Sequence, residues 1–209
     1  MYFLVQQTSM LQDKIKSLAS AYKEEVISFR RHLHAHPELS FKEFETATFV
    51  ANKLKEFGIT EIESKATTGW SALIKGKNPE KRVVALRADM DALPIIEANE
   101  VPYKSQNPGV MHACGHDAHT ASLLGAAKIL NEVRDQFEGT IKLIFQPGEE
   151  IIPGGASLMI QDKVLENPRP QAILGQHVMP FIPAGKVGFR SGLYMASTDE
   201  LYLTITGKG

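Results

Sequence analysis

The sequence predicts an α/β fold, a mostly parallel sheet flanked by helices, on three observations. Stretches whose apolar residues recur every three to four positions alternate with short apolar runs bounded by turns. The runs in RVVALRADMDA and GTIKLIFQP are nearly continuous in apolar residues, as strands covered on both faces are. Strands alternating with helices at these lengths belong to a layered sheet with parallel neighbours.

Leu11, Ile15, Leu18, Tyr22, Val26, Phe29 and Leu33 lay one stripe along an amphipathic helix that Pro37 ends. SFKE then reads as a capping box, with Ser40 as N-cap and Glu43 at the third helical position. The helix it opens carries Phe44, Ala47, Val50, Leu54 and Phe57 on one face and stops at Gly58. Between Thr60 and Asp91 the pattern turns to strands, with SALIKGK, a turn at NPE, and the buried run RVVALRADMDA. GHDAHTASLLGAAKILNEV is a helix with small residues on its packed side, and GTIKLIFQP is a further central strand. GGASLMIQDKVLE is a short helix, and QAILGQHVM a strand. Beyond about Gly188 the pattern changes, and ELYLTITGK alternates apolar with polar residues as a half-exposed strand does. Residues 1–189 therefore form one α/β unit, and residues 190–209 begin a second layer. A lone strand cannot bury its own apolar face, so the sequence reads as unfinished and marginally stable by itself.

The 209 residues are 43% hydrophobic and 22% charged, enough to bury one substantial core. A net charge of -1 leaves no basic excess for nucleic acid or for an anionic membrane surface. No run approaches the roughly 18 apolar residues that span a bilayer. One cysteine cannot form an intrachain disulfide, and MYFLVQQTSM lacks the basic start of a secretory signal, so a cytoplasmic protein is expected.

Ligands of open parallel sheets bind beyond the carboxyl ends of the strands. There the sequence places Asp89 and Asp91, then Glu149 and Glu150, then His177, with Cys114 and His116 at the start of a helix between two strands. Alone, a Cys-x-His pair is a small buried hydrophobe beside a helix-terminal hydrogen bonder. In this company, thiolate, imidazole and carboxylate suit Zn, Mn or Co better than Ca or Mg. Adjacent carboxylates at Glu149 and Glu150 repel unless a cation or shared proton intervenes, although surface glutamates are the commoner case. Either Asp89 or Asp91 could equally cap a helix or pair with Arg87. His32, His34 and His36 read as a solvated helix end, and His119 as lying one turn beyond His116 without reaching the same ion. His112 and His119 stay open. Attack by Cys114 with a histidine base is the competing chemistry, and a non-catalytic, metal-binding remnant is another.

Taken together, RRHLHAHPELSFKEFET, LRADMDALPI, MHACGHDAHTASLLGAA, IFQPGEE, GGASLMI and GQHVMP closely resemble the M20 metallopeptidase family. The resemblance is to its branch of N-acyl-amino-acid, hippurate and indoleacetyl-amino-acid hydrolases, and runs from about Phe29 to Gly209. It implies a zinc-peptidase-like catalytic domain over residues 1–189 and the first strand of a lid and dimerisation domain over 190–209. It implies two divalent metal ions (Zn, Mn or Co) on Cys114, His116, Glu150 and His177, with Cys114 as the bridge. Asp91 would orient a ligand histidine, Asp117 would stand behind the ligands, and Glu149 would be the general base that activates water against the amide of a small N-acyl amino acid. Family members are roughly twice as long and often dimeric. A lid histidine and a last histidine ligand lie beyond TITGKG in the family, so the chain alone is expected to be nearly inactive.

Overall fold

Among the described residues five strands form one sheet in the order β1-β2-β4-β3-β5: β1 Ile62–Lys65, β2 Gly69–Lys75, β3 Val83–Asp89, β4 Thr140–Gln146 and β5 Ala172–Gly175. The computed structural model describes residues 2–193, 195 and 201–208, with side chains from residue 10 onward. Helices flank the sheet as expected, but it is mixed. β3 runs parallel to β4 and β5, while β1–β2 and β2–β4 are antiparallel. Connection length explains the β1–β2 pair, since antiparallel neighbours need only a turn and parallel ones a crossover. Helix α4 (His116–Glu132) lies between β3 and β4, and α5 (Gly155–Gln161) between β4 and β5. The turn after β1 is too short for a crossover, and Ala66 and Thr67 take left-handed φ values of 47° and 71° to close it.

Side chains alternate across the strands. Leu143 and Phe145 of β4, Ala88 of β3 and Ile74 of β2 pack with residues of α2 (Lys23–Ala35), α3 (Phe44–Glu56) and α4. Ala85 and Ile144 belong to the other face, with Met159 and Val164 around α5. The apolar run of β4 breaks at Lys142, which is buried and donates from Nζ to the carbonyls of Val164 (2.8 Å) and Glu166 (2.7 Å). Those bonds tie the segment after α5 to the sheet.

Four elements differ from the sequence pattern. The first helix divides at Tyr22 into α1 (Tyr2–Ala21) and α2, although helical bonds from Tyr22 N–H to Leu18 O and from Val26 N–H to Tyr22 O span the break. Its stripe serves two partners: Leu11, Ile15, Leu18 and Tyr22 pack around Ile129 and Val133, while Val26, Phe29 and Leu33 join the main core. Ser40 and Glu43 do not form a capping box. The N-cap of α3 is Glu43, without a side-chain cap bond of its own, and the Glu38 carboxylate instead accepts the N–H groups of Glu45 (3.2 Å) and Thr46 (2.8 Å). Helix α5 closes at Gln161, because Lys163 turns at φ 59°. Of the strand read in ELYLTITGK, Glu200 lies outside the described residues, and residues 201–208 form no strand.

The chain divides into two compact units, Met1–Val178 and Met179–Gly209. The second has no helix or strand among its described residues, and its Val187, Phe189, Leu201, Leu203 and Ile205 are exposed. No helix of the described residues is long and apolar enough to cross a membrane.

Candidate metal centre

The carboxyl ends of β3, β4 and β5 and the start of α4 bring together Asp89, Asp91, Cys114, His116, Glu149, Glu150 and His177. Gly115 makes the entry to α4 possible: its φ of 89° is left-handed, and a Cβ there would lie 2.3 Å from Val178 Cγ2. Ligand atoms of Cys114, His116 and His177 lie within 4.8 Å of one another, as do those of His116, Glu149 and Glu150. His116 belongs to both groups.

Hydrogen bonds set the outlook of each ring. His116 is buried and faces Asp91 Oδ1 with Nδ1 (3.1 Å), while Nε2 has no hydrogen-bond partner. Its nearest carboxylate oxygens are Asp89 Oδ2 at 3.6 Å and Glu150 Oε1 at 3.7 Å, and Glu150 Oε1 is also buried without a partner. His177 donates Nδ1–H to Val178 O (2.7 Å) and turns Nε2 to Cys114 Sγ (3.3 Å). In both rings Nδ1–H is spent and the Nε2 lone pair is left, which is how a carboxylate or carbonyl prepares a histidine for a metal. Corners of a tetrahedron around zinc lie roughly 3.3–3.8 Å apart. The separations found fit a cation between two buried atoms that lack a hydrogen-bond partner.

The field points the same way. Burial, then the charges of Glu150, Glu149 and Asp89, push the Cys114 thiol up to about 12. Burial and the neighbouring Glu150 likewise raise the Glu149 carboxyl. Burial would raise Asp91 too, but the donors from His116, Ser40 and the Glu150 N–H outweigh it and hold the carboxyl below its ordinary value. For Asp89 burial is overcome by the His119 hydrogen bond and the Arg87 charge, leaving it at about 2. A nucleophilic cysteine needs the opposite field, with its thiolate favoured by nearby positive charge.

Other sequence readings resolve differently. His119 donates Nδ1–H to Asp89 Oδ1 (2.6 Å) and accepts the Val178 N–H at Nε2 (2.9 Å), so it braces the segment carrying His177. Asp89 pairs with Arg87 as the ordinary reading allowed (2.6 Å), and with His119 besides. His32 and His36 are exposed, but His34 is not part of a solvated helix end. It is buried between Asp117 Oδ2 (2.8 Å from Nδ1) and Glu97 Oε1 (2.9 Å from Nε2), with Arg30 Nε 2.7 Å from Asp117. The signal was present in the spacing: Val26, Arg30 and His34 are four apart and border the apolar stripe. Asp117 follows His116, so this cluster anchors the first turn of α4. His112 is buried with both ring nitrogens unpartnered, and burial lowers it to about 4.

The His34 cluster predicts a pH dependence of stability. The Asp117 hydrogen bond raises His34 above 6.5 despite burial. Asp117 and Glu97, which burial alone would raise, are held below 3.8 and 4.5 by His34. The raised histidine contributes fully below 6.5 and loses its contribution as pH rises through its folded value; the depressed acids contribute above their ordinary values and lose it as pH falls. Urea midpoints of the metal-free chain should peak between about pH 5 and 6.5. In His34→Gln the decline above pH 6.5 should flatten, and an unchanged slope would sink the assignment.

Fold and donor set are together those of an α/β metallopeptidase domain. The chain belongs to peptidase family M20/M25/M40, whose sequence model matches residues 85–204. It is 48% identical over 200 residues to an N-acyl-L-amino acid amidohydrolase of Geobacillus stearothermophilus, covering 96% of this chain and 53% of the relative. It is 46% identical over 180 residues to a hippurate hydrolase of Campylobacter jejuni, covering 86% and 46%. The Bacillus subtilis protein YXEP, described as a dinuclear metal-binding peptidase of family M20, superposes with a TM-score of 0.74 at 45% identity, covering 79% of this chain and 46% of that one. The chain spans about half the length of the curated relatives it matches.

Proposed function

We propose that the protein, at the length of its relatives, is a metal-dependent amidohydrolase that cleaves small N-acyl amino acids into a carboxylic acid and an amino acid. The observation that carries this reading is the pair of bare, buried acceptors at His116 Nε2 and Glu150 Oε1. In this reading Cys114, His116, Glu150 and His177 would hold two divalent ions, Zn, Mn or Co. Residues 1–189 supply this part of the catalytic domain, and 190–209 begin a lid through which a longer chain would dimerise. The names of the relatives support the substrate class, and a thiolate ligand suits the reducing cytoplasm.

Ions bound here would supply Lewis acidity and a lowered pKa for water. Asp91 accepts Nδ1–H of His116, fixes the tautomer and keeps Nε2 available. Glu149, beside these residues, is the carboxylate that would take the proton from the attacking water and return it to the leaving nitrogen. Its raised proton affinity suits a group that must bind and release that proton in one cycle.

Chelator treatment should abolish hydrolysis of N-acetyl, N-benzoyl and indoleacetyl amino acids, and one of Zn, Mn or Co should restore it. Hydrolysis that persists after elemental analysis shows the metal gone would overturn the proposal.

A further inference from the structure

The tetrapeptide SFKE is left without its capping role, and three of its contacts lead to the glutamate pair. Glu43 is completely buried, with no cation against it among the described residues. Its Oε2 accepts the Thr68 hydroxyl (2.8 Å) and its Oε1 the N–H of Gly148 (2.7 Å). Gly148 is the turn residue directly before Glu149. Its φ is 51°, and the Phe41 ring occupies the space a Cβ would need, with carbons at 2.3 and 2.4 Å. Gly148 O in turn accepts the N–H of Gly155 (2.7 Å). Ser40 donates to Asp91 Oδ2 (2.6 Å), the same oxygen that accepts the Glu150 N–H (3.0 Å).

So the loop bearing Glu149 and Glu150 is fastened from below at two points, Gly148 and Glu150, and the turn at 40–43 serves both. Phe41 itself is held at a left-handed φ of 62° to place its ring there. A bulky residue is uncommon in that region, and such outliers gather where surrounding structure demands a geometry. A buried carboxylate is a costly way to cap a turn. It makes sense where a peptide N–H must be held at one position.

We infer that Glu43 is a positioning residue for the catalytic pair, setting through Gly148 where the Glu149 and Glu150 carboxylates stand. The inference rests on the roles proposed above for those two glutamates. A group that acts only by stabilising the fold would alter how much protein is folded. A positioning residue alters the site in the molecules that are folded.

The experiment uses the protein at the full length of its relatives, loaded with Co(II), in the forms Glu43→Ala, Glu43→Gln and Glu43→Asp. Glutamine keeps the shape: its carbonyl can accept the Gly148 N–H, and its amide can donate to a reoriented Thr68 hydroxyl. Per folded molecule, Glu43→Ala should lower kcat by about 10–100-fold with KM within about twofold, and should change the visible Co(II) absorption bands. Glu43→Gln should restore most of kcat and the wild-type bands. If the alanine variant does not fold, Glu43→Asp, whose shorter arm draws the loop back, should show the same pattern in weaker form. Wild-type bands and kcat in a folded alanine or aspartate variant would overturn the inference alone. Absence of any Co(II) bands in the unmutated protein would overturn the metal assignment, and this inference with it.

Discussion

Replacing Glu149 by glutamine is expected to lower kcat for N-acyl amino acid hydrolysis by about 10²–10⁴-fold, the range for loss of a general acid–base group. Bound metal should be unchanged. Glutamine fills the same space and can still hydrogen-bond, but it cannot take up a proton. The two neighbouring glutamates differ in their surroundings: Glu150 has a buried oxygen without a hydrogen-bond partner beside His116, whereas Glu149 is exposed, and partial desolvation of its carboxyl, then the Glu150 charge, raises its proton affinity. On the proposed function, that difference separates a ligand from a base. Measured by single-turnover kinetics and elemental analysis, a variant that loses metal along with activity would show Glu149 to be a ligand. A variant retaining activity within tenfold would remove it from the chemistry.

Changing Cys114 to serine should weaken metal binding by at least about 10–100-fold, the loss typical even of groups behind the ligands. With its thiol at about 12, Cys114 is protonated at neutral pH until a cation displaces the proton. A serine hydroxyl gives up its proton less readily still, and is a poorer partner for a borderline-soft ion. Competition against a chromophoric chelator measures the difference. Bound metal should also shield Cys114 from iodoacetamide. If the serine variant binds metal as the wild type does yet hydrolyses nothing, and if chelators leave the wild type active, the sulfur is a nucleophile.

Much of the candidate site's layout was legible in the sequence because metal-competent side chains cluster where strands end, although β5, read as buried, is exposed. Asp89, Asp91, Cys114, His116, Glu149, Glu150 and His177 each sit at a strand end or helix start, and the parallel crossovers through α4 and α5 bring them to one edge. What the sequence hid were contacts between distant segments. SFKE satisfies a local capping rule, yet Glu43 spends its carboxylate on Gly148, 105 residues away, and Glu38 caps the helix from outside the motif. His34 looked solvated because its neighbours His32 and His36 are, and only the packing of α2 on α4 reveals Asp117 across from it. The antiparallel half of the sheet was missed for a related reason: apolar runs reveal burial but carry no direction.

His177 hangs two residues beyond β5, a four-residue strand at the margin of the sheet whose residues are all exposed and which pairs only with β3 among the described residues. Short marginal strands open with little free energy compared with the global transition. One proposed ligand is thus carried on the part of the sheet most ready to fray, while His116 is fixed in buried helix. A cation shared by the two would bind the ordered edge and not the frayed one. Its binding energy would then act as a clasp, drawing the loose strand onto the rigid body of the sheet.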